Sequence, residues 1–354
     1  MKERVVVGLS GGVDSSATAY LLKKQGYEVV GVTLLLLETR GRVHPRSCCT
    51  IEAVRDAQNL ARHLGIKHHS VEARPEFIEK VIEPFVEGYL RGTTPNPCIL
   101  CNRYIKFPYL FRVADELEAR FVATGHYARV VKDERGYHLL RGLDRRKDQS
   151  YFLYVLKKEY LQRLILPLGG LKKSEVLEMV RKAGLPVGQR PESVEVCFVG
   201  SSYGQFIREV VPGVNREGPI IGPDGRILGR HRGIFYYTIG QRKGLGVAYG
   251  KPLYVIKIDP EENAVYLAEK EKLYTQRVVL EDLHLLEEPC EDVQAKVRST
   301  MQPQPAKLEI KDHQAELRFL TPQWAPAKGQ AGVFYSGDML IGGGTVVDCG
   351  IMAR

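Results

Sequence analysis

Two short strings in this 354-residue chain hold the residue types best suited to chemistry. Residues 8–16 read Gly-Leu-Ser-Gly-Gly-Val-Asp-Ser-Ser, directly after the apolar run Val5-Val6-Val7 and directly before Ala17-Thr18-Ala19-Tyr20-Leu21-Leu22. A strand that ends in a glycine turn and opens a helix is a place to hold phosphate. Backbone N–H groups of Ser10, Gly11 and Gly12 can point at anionic oxygens, because two of these residues lack a Cβ. A helix starting near Asp14 adds its positive end. Neither the Walker spacing with Gly-Lys-Ser/Thr nor Gly-x-Gly-x-x-Gly is present. A bare Gly-Gly pair would suit any strand-to-helix turn; the length of this string favours a nucleotide. The second string is Thr93-Thr94-Pro95-Asn96-Pro97-Cys98-Ile99-Leu100-Cys101-Asn102. Its prolines fix a loop that presents two thiols three residues apart. A third thiol, Cys197, follows in Val194-Glu195-Val196-Cys197-Phe198-Val199-Gly200.

These residues need elements to position them. The first ~200 residues alternate strand and helix patterns, which predicts an α/β domain with a doubly wound parallel sheet. Strands are predicted at 4–9, 29–36, 68–71 and 121–124. Apolar residues at Ile51, Val54, Ala57, Ala61 and Leu64 recur at helical spacing, and Gly65 ends that helix. Ligands of open α/β sheets bind outside the carboxyl ends of the strands. Residues 8–15, Leu34 and 125–127 meet that condition, with Leu34 and Gly125 expected near the adenosine. From Gly213 onward, short alternating runs are punctuated by Pro223-Asp224-Gly225, Gly240, Gly244, Gly246, Gly250 and Asp259-Pro260. Further short strands are predicted at 295–299, 306–310, 314–320, 331–335 and 339–341, with Gly342-Gly343-Gly344 near the end. The domains expected are 1–203 for nucleotide and sulfur chemistry, 204–271 as a small β domain and 272–354 as a C-terminal β-barrel.

Composition narrows the class. The net charge of +9, from 51 Lys and Arg against 42 Asp and Glu, suits a polyanionic partner as well as a solubilising surface. No apolar run is long enough to span a membrane, and Met1-Lys2-Glu3-Arg4 passes straight into a strand without room for a signal peptide. A cytoplasmic location is the default expectation. Seven cysteines, an odd number, argue against a structural disulfide framework. Cys290 and Cys349 lie in β-like segments and are expected as small buried hydrophobes, and Cys48-Cys49 as packing residues near the start of a helix.

The string at 8–16 resembles the SGGxDS loop of the ATP pyrophosphatases, whose fold is HUP-like. Such enzymes cleave ATP between its α and β phosphates and transfer AMP to an acceptor oxygen. The chain as a whole resembles the tRNA-specific 2-thiouridylase family. The resemblance rests on Ser-Gly-Gly-Val-Asp-Ser, Thr-Pro-Asn-Pro-x-x-x-Cys-Asn, Ala-Thr-Gly-His-Tyr (123–127), Lys-Asp-Gln-Ser-Tyr-Phe-Leu (147–153) and Gly-Gln-Arg-Lys-Gly-Leu-Gly (240–246), in that order. It implies ATP on Gly8, Leu9, Ser10, Gly11, Gly12, Val13, Asp14, Ser15, Leu34 and Gly125, with Mg²⁺ near Asp14. It also implies adenylation of the C2 oxygen of a wobble uridine, then sulfur delivery from a Cys197 persulfide that an upstream donor protein loads. Cys101 is the implied nucleophile, attacking the persulfide or leaving a disulfide with Cys197. Cys98 departs from the family pattern, where many members carry Asp. That opens a second route, a [4Fe–4S] cluster on Cys98, Cys101 and Cys197, with zinc on the same thiols a third.

The implied RNA contacts are spread along the chain. Asn96, Pro97 and Cys98 would lie against the target base, and His126 and Gln330 would hold the flipped nucleotide. Lys147, Asp148 and Gln149 would contact the tRNA, beside a basic cluster of Arg141, Arg145 and Arg146. Arg242 and Lys243 put two cations on a glycine-rich turn that can approach phosphates. Arg298-Ser299 takes the place of a further RNA contact. Rival readings are another ATP pyrophosphatase (an amidotransferase-type synthetase or a tRNA lysidine synthetase) and a non-catalytic RNA-binding iron–sulfur carrier. The former needs no loop cysteines, and the latter has no use for a pyrophosphate cradle.

Overall fold

The computed structural model describes residues 2–37, 51–187, 196–199 and 202–350. Cys48 and Cys49 lie outside them. The chain divides into two units: unit 1 takes residues 1–81, 98–200 and 338–340, and unit 2 takes 82–97, 201–337 and 341–354.

Unit 1 is built on a five-stranded parallel sheet. Its strands are β1 (Arg4–Gly8), β2 (Glu28–Leu35), β3 (Lys67–Glu72), β4 (Phe121–Ala123) and β7 (Leu164–Ile165), in the order β3-β2-β1-β4-β7. The run Val5-Val6-Val7 is wholly buried, as a central parallel strand covered on both faces must be. Val5 and Val7 pack with α1 (Val13–Lys24), α2 (Ile51–Leu64) and α4 (Lys173–Lys182). Val6 and Gly8 share the opposite face, where Leu110 of α3 (Phe107–Glu116) closes on Gly8. The four predicted strands and the predicted helix are present within a residue or two. The hairpin β5 (Ala128–Asp133) and β6 (Gly136–Arg141) was not read from the sequence. Asp338, in the short segment 338–340, accepts from Arg129 at 2.7 Å and Arg145 at 2.5 Å.

Unit 2 contains two β structures. A four-stranded sheet runs in the order β10 (Tyr254–Asp259), β11 (Ala264–Ala268), β8 (Gly218–Ile221), β9 (Ile227–His231), around a core of Ile220, Val255, Val265 and Leu267. The second structure is a closed six-stranded barrel, in the order β12 (Tyr274–Leu285), β15 (Gln314–Trp324), β14 (Gln304–Lys311), β13 (Asp292–Lys296), β16 (Ala331–Ser336), β17 (Met339–Asp348), with β17 pairing back onto β12. The Gly342-Gly343-Gly344 run lies inside β17, not at the end of a short strand. At the β12–β17 seam, a Cβ on Gly344 would stand 2.6 Å from the Glu281 carbonyl oxygen and one on Gly342 2.5 Å from that of His284. Cys349 is buried, but Cys290 corrects the sequence reading: it is exposed between β12 and β13, its thiol 3.3 Å from the Asp292 carbonyl oxygen. The β-like pattern around Cys290 is a connection between strands, in which Leu286 is buried and Cys290 is not.

Candidate active site

The glycine turn after β1 is held from three sides. Leu9 N–H donates to the Val32 carbonyl at 2.7 Å, tying the turn to β2. Gly11 has φ +73°, and a Cβ there would stand 2.7 Å from the carbonyl oxygen of Ala53 in α2, so only glycine fits. Gly12 caps α1, its carbonyl accepting from Ser16 N and from the hydroxyls of Ser15 and Ser16. Val13 packs on the core. Ser15 Oγ also accepts from Ser10 N at 3.2 Å and lies 3.2 Å from Ser10 Oγ. The Ser10 amide expected to face phosphate therefore rests on a hydroxyl, a weak partner that an anionic oxygen can replace.

Asp14 is the most heavily engaged group of the loop. Lys173, at the start of α4, donates to both of its carboxylate oxygens at 2.7 and 2.9 Å, and Tyr127 Oη donates to Oδ1 at 2.8 Å. The Lys173 side chain is only 11% exposed. Gly125 lies against this junction, where a Cβ would stand 2.9 Å from the Asp14 carbonyl carbon. Sequence reasoning missed Lys173: Lys172-Lys173-Ser174-Glu175 looks like an ordinary helix start, and nothing marks one of two lysines as inward.

These elements enclose a cavity of about 310 Å³ at the carboxyl ends of β1, β2 and β4. Gly8, Leu9, Ser10, Asp14, Ser15, Leu34 and Gly125 line it, as do Cys101, His126 and Gln149. Thr33, Thr124, Leu110 and Lys106 join them. Thr33 Oγ1 donates to the Leu9 carbonyl at 2.9 Å, which fixes the strand end beside the turn. His126 stacks on Phe107 and its Nδ1 lies 2.8 Å from Thr124 Oγ1. Burial, with Lys106 nearby, holds its pKa well below the ordinary histidine value, so the ring is neutral near pH 7.

Cys101 opens a stretch of π-helix, Cys101–Lys106, that continues into α3. Asn102, the next residue, is buried and donates from Nδ2 to the Phe152 carbonyl at 2.9 Å, which anchors the stretch. Cys98, on the short helix Pro97–Leu100, is exposed and does not line the cavity. Cys197 is half-buried, fixed by its neighbour Phe198, whose ring meets Phe77 edge-on at 5.8 Å. Among the described residues no three His, Cys, Asp or Glu side chains are grouped to hold a metal ion.

The remaining expected residues are placed as follows. Lys147 is half-buried in unit 1 and its backbone N–H donates to Asp144. The Asp148 side chain is 2% exposed; it accepts from Gly142 N, Ser150 N and Ser150 Oγ, with Arg141 3.5 Å away. Its carboxylate shapes the loop from inside. Gln149 accepts from Tyr127 N at 3.0 Å and faces the cavity. In unit 2, Asn96 and Pro97 follow Thr94, whose N–H donates to Lys328 and whose carbonyl accepts from Gln330 Nε2 at 2.8 Å. Arg298 donates to the carbonyls of Ile239 and Ala325, and Ser299 beside it is half-buried. Arg242 and Lys243 stand exposed on a turn between Gly240 (φ +85°) and Gly244 (φ +73°).

Comparison with known proteins covers nearly the whole chain. Residues 3–201 match a family model described as a tRNA methyl transferase HUP domain, 204–269 a tRNA methyl transferase PRC-barrel domain and 275–346 an aminomethyltransferase β-barrel domain. A tRNA-specific 2-thiouridylase MnmA of Carboxydothermus hydrogenoformans is 48% identical over 98% of both chains. A second, MnmA 2 of Caldanaerobacter subterraneus, is 45% identical over 97% of both. The protein of that name from Pelotomaculum thermopropionicum is 44% identical over 100% of both.

Proposed function

The chain belongs to the tRNA-specific 2-thiouridylase MnmA family, and on that premise we propose that loop 8–15 and Cys101 act in turn on one uridine, adenylation first and sulfur delivery second. It is a tRNA 2-thiouridylase, a sulfurtransferase that binds ATP. The family models carry a methyl transferase label, but a phosphate loop and a thiol on one cavity favour sulfur over methyl chemistry. That shared cavity is the observation that carries the reading.

The chemistry follows from the residues. A uridine C2 carbonyl is a poor electrophile with a poor leaving oxygen. Attack of that oxygen on the α-phosphorus of ATP attaches AMP and expels pyrophosphate. The amides of the 8–15 loop and the positive end of α1 receive the pyrophosphate. The terminal sulfur of a Cys197 persulfide attacks C2, and AMP departs with the C–O electron pair. The Cys101 thiolate then attacks Sγ of Cys197. The S–S bond breaks, its electron pair stays on the sulfur at C2, and 2-thiouridine leaves a Cys101–Cys197 disulfide. A thiol reductant reopens the disulfide, and a persulfide-bearing donor protein reloads Cys197.

Asp14 fits a magnesium ion poorly, since Lys173 already neutralises it; a magnesium ion arriving with ATP would take phosphate oxygens and water as ligands. The three thiols fit an iron–sulfur cluster no better, because they are not grouped as a ligand set, and no step is routed through one. Cys98, exposed and outside the cavity lining, is an auxiliary thiol. The partner is tRNA presenting a wobble uridine unstacked from its neighbours. Arg242 and Lys243 contact its phosphates, and Gln330 holds the loop leading to Asn96 and Pro97. Among the described residues no helix is long and apolar enough to cross a membrane.

Cys101→Ala and Cys197→Ala should each abolish 2-thiouridine formation, read by nucleoside mass spectrometry, while tRNA affinity stays within about twofold of wild type. Normal thiolation by either variant would end the sulfur-relay reading.

A further inference from the structure

Lys106 is the only lysine or arginine among the described residues that line the cavity, and it shares that lining with Cys101. The two are five positions apart in the chain. In an α-helix that spacing turns the side chains about 140° apart, given 3.6 residues per turn. Residues Cys101–Lys106 instead form a π-helix, whose i→i+5 hydrogen bonds stack residue i+5 beside residue i. Asn102 and Ile105 are buried within the stretch, leaving Cys101 and Lys106 to the cavity side.

The other titratable groups facing the cavity do not compete for this role. Asp14 has Lys173 as its counter-charge, and His126 is held neutral by burial and by Lys106 itself. The remaining positive charge of the cavity therefore belongs to Lys106. A thiol beside a fixed ammonium loses its proton more easily, because the cation stabilises the thiolate.

We propose that Lys106 is a positioning residue that keeps Cys101 as a thiolate, its proton released to solvent, and that the π-helical turn exists to bring the two together. The inference rests on the assignment of Cys101 as nucleophile. The test reads the thiol without either substrate: carbamidomethylation of Cys101 by iodoacetamide across pH, resolved from Cys98 by fragment-ion mass spectrometry. In the wild type the midpoint should lie below the ordinary thiol value of about 8.5. In Lys106→Gln it should rise toward that value, with the rate at pH 7 falling about tenfold. Lys106→Arg should keep the wild-type midpoint, and the thiolation defect of Lys106→Gln should shrink as the pH is raised. Lys106→Met serves as a second neutral variant should the glutamine protein not fold. An unchanged Cys101 midpoint in the neutral variants overturns the proposal, as does a defect confined to the KM for ATP. Loss of thiolation in Cys101→Ala alongside an unmoved midpoint would sink this inference alone. Normal thiolation by Cys101→Ala would sink the functional reading instead.

Discussion

Asp14 illustrates how one residue can be half legible. Its place after Gly-Gly marks it as part of a phosphate loop, but its partner Lys173 comes from a helix far along the chain. With nucleotide phosphates in the loop, that ammonium stands between two anions. Lys173→Gln should therefore lower ATP-dependent pyrophosphate release at least tenfold; release at the wild-type rate would show that the ion pair is only structural. Asp148 is half legible in another way: the string Lys147-Asp148-Gln149 marks it, but not that its oxygens face Gly142, Ser150 and Arg141. A sequence records charge, and whether a charge faces inward is decided by the backbone donors the fold brings to it.

At the scale of elements, period and turn chemistry made β1, the glycine turn, α1, β2 and α2 readable. The π-helix was not readable, because an apolar pattern specifies a buried face and says little about how tightly the backbone winds. The turn at 240–246 was recognised from its glycines, but not the guanidinium of Arg298 that holds its first carbonyl neighbour, Ile239. Arg242→Ala and Lys243→Ala should each reduce the salt slope of tRNA binding by about 1 if each cation neutralises one phosphate. Arg298→Ala should weaken binding severalfold by loosening the same turn. Two histidines carry a pH response: buried His231 in the small sheet, 2.9 Å from the Asn263 carbonyl oxygen, and His126 in unit 1. Burial holds both below the ordinary histidine value of about 6.5. Their contribution to stability is complete above that value. It shrinks as the pH falls below 6.5, where the unfolded chain takes up protons that the native state refuses. Thermal melts should shift to lower temperature between pH 7.5 and 5.5; a flat profile would contradict this.

For the molecule as a whole, a basic balance and a nucleotide-binding front half followed by β structure were evident from composition and texture. Barrel closure was less evident, since a run of three glycines reads more naturally as a loop than as the middle of a strand. Glycine is required there because β17 approaches β12 too closely for side chains. Gly344→Val should destabilise the protein by about 1–3 kcal/mol through overpacking at the seam. It should also leave strand edges that promote association, seen as a lower melting temperature and as larger species in size-exclusion chromatography. The seam has a further consequence during translation. The strand that closes the barrel follows the other five in the chain, so β12 waits with an open edge while β13 to β16 emerge from the ribosome. The barrel cannot complete itself until β17 has been made. Slow elongation or termination between β12 and β17 would therefore yield a chain whose barrel is unclosed, the species most in need of a chaperone.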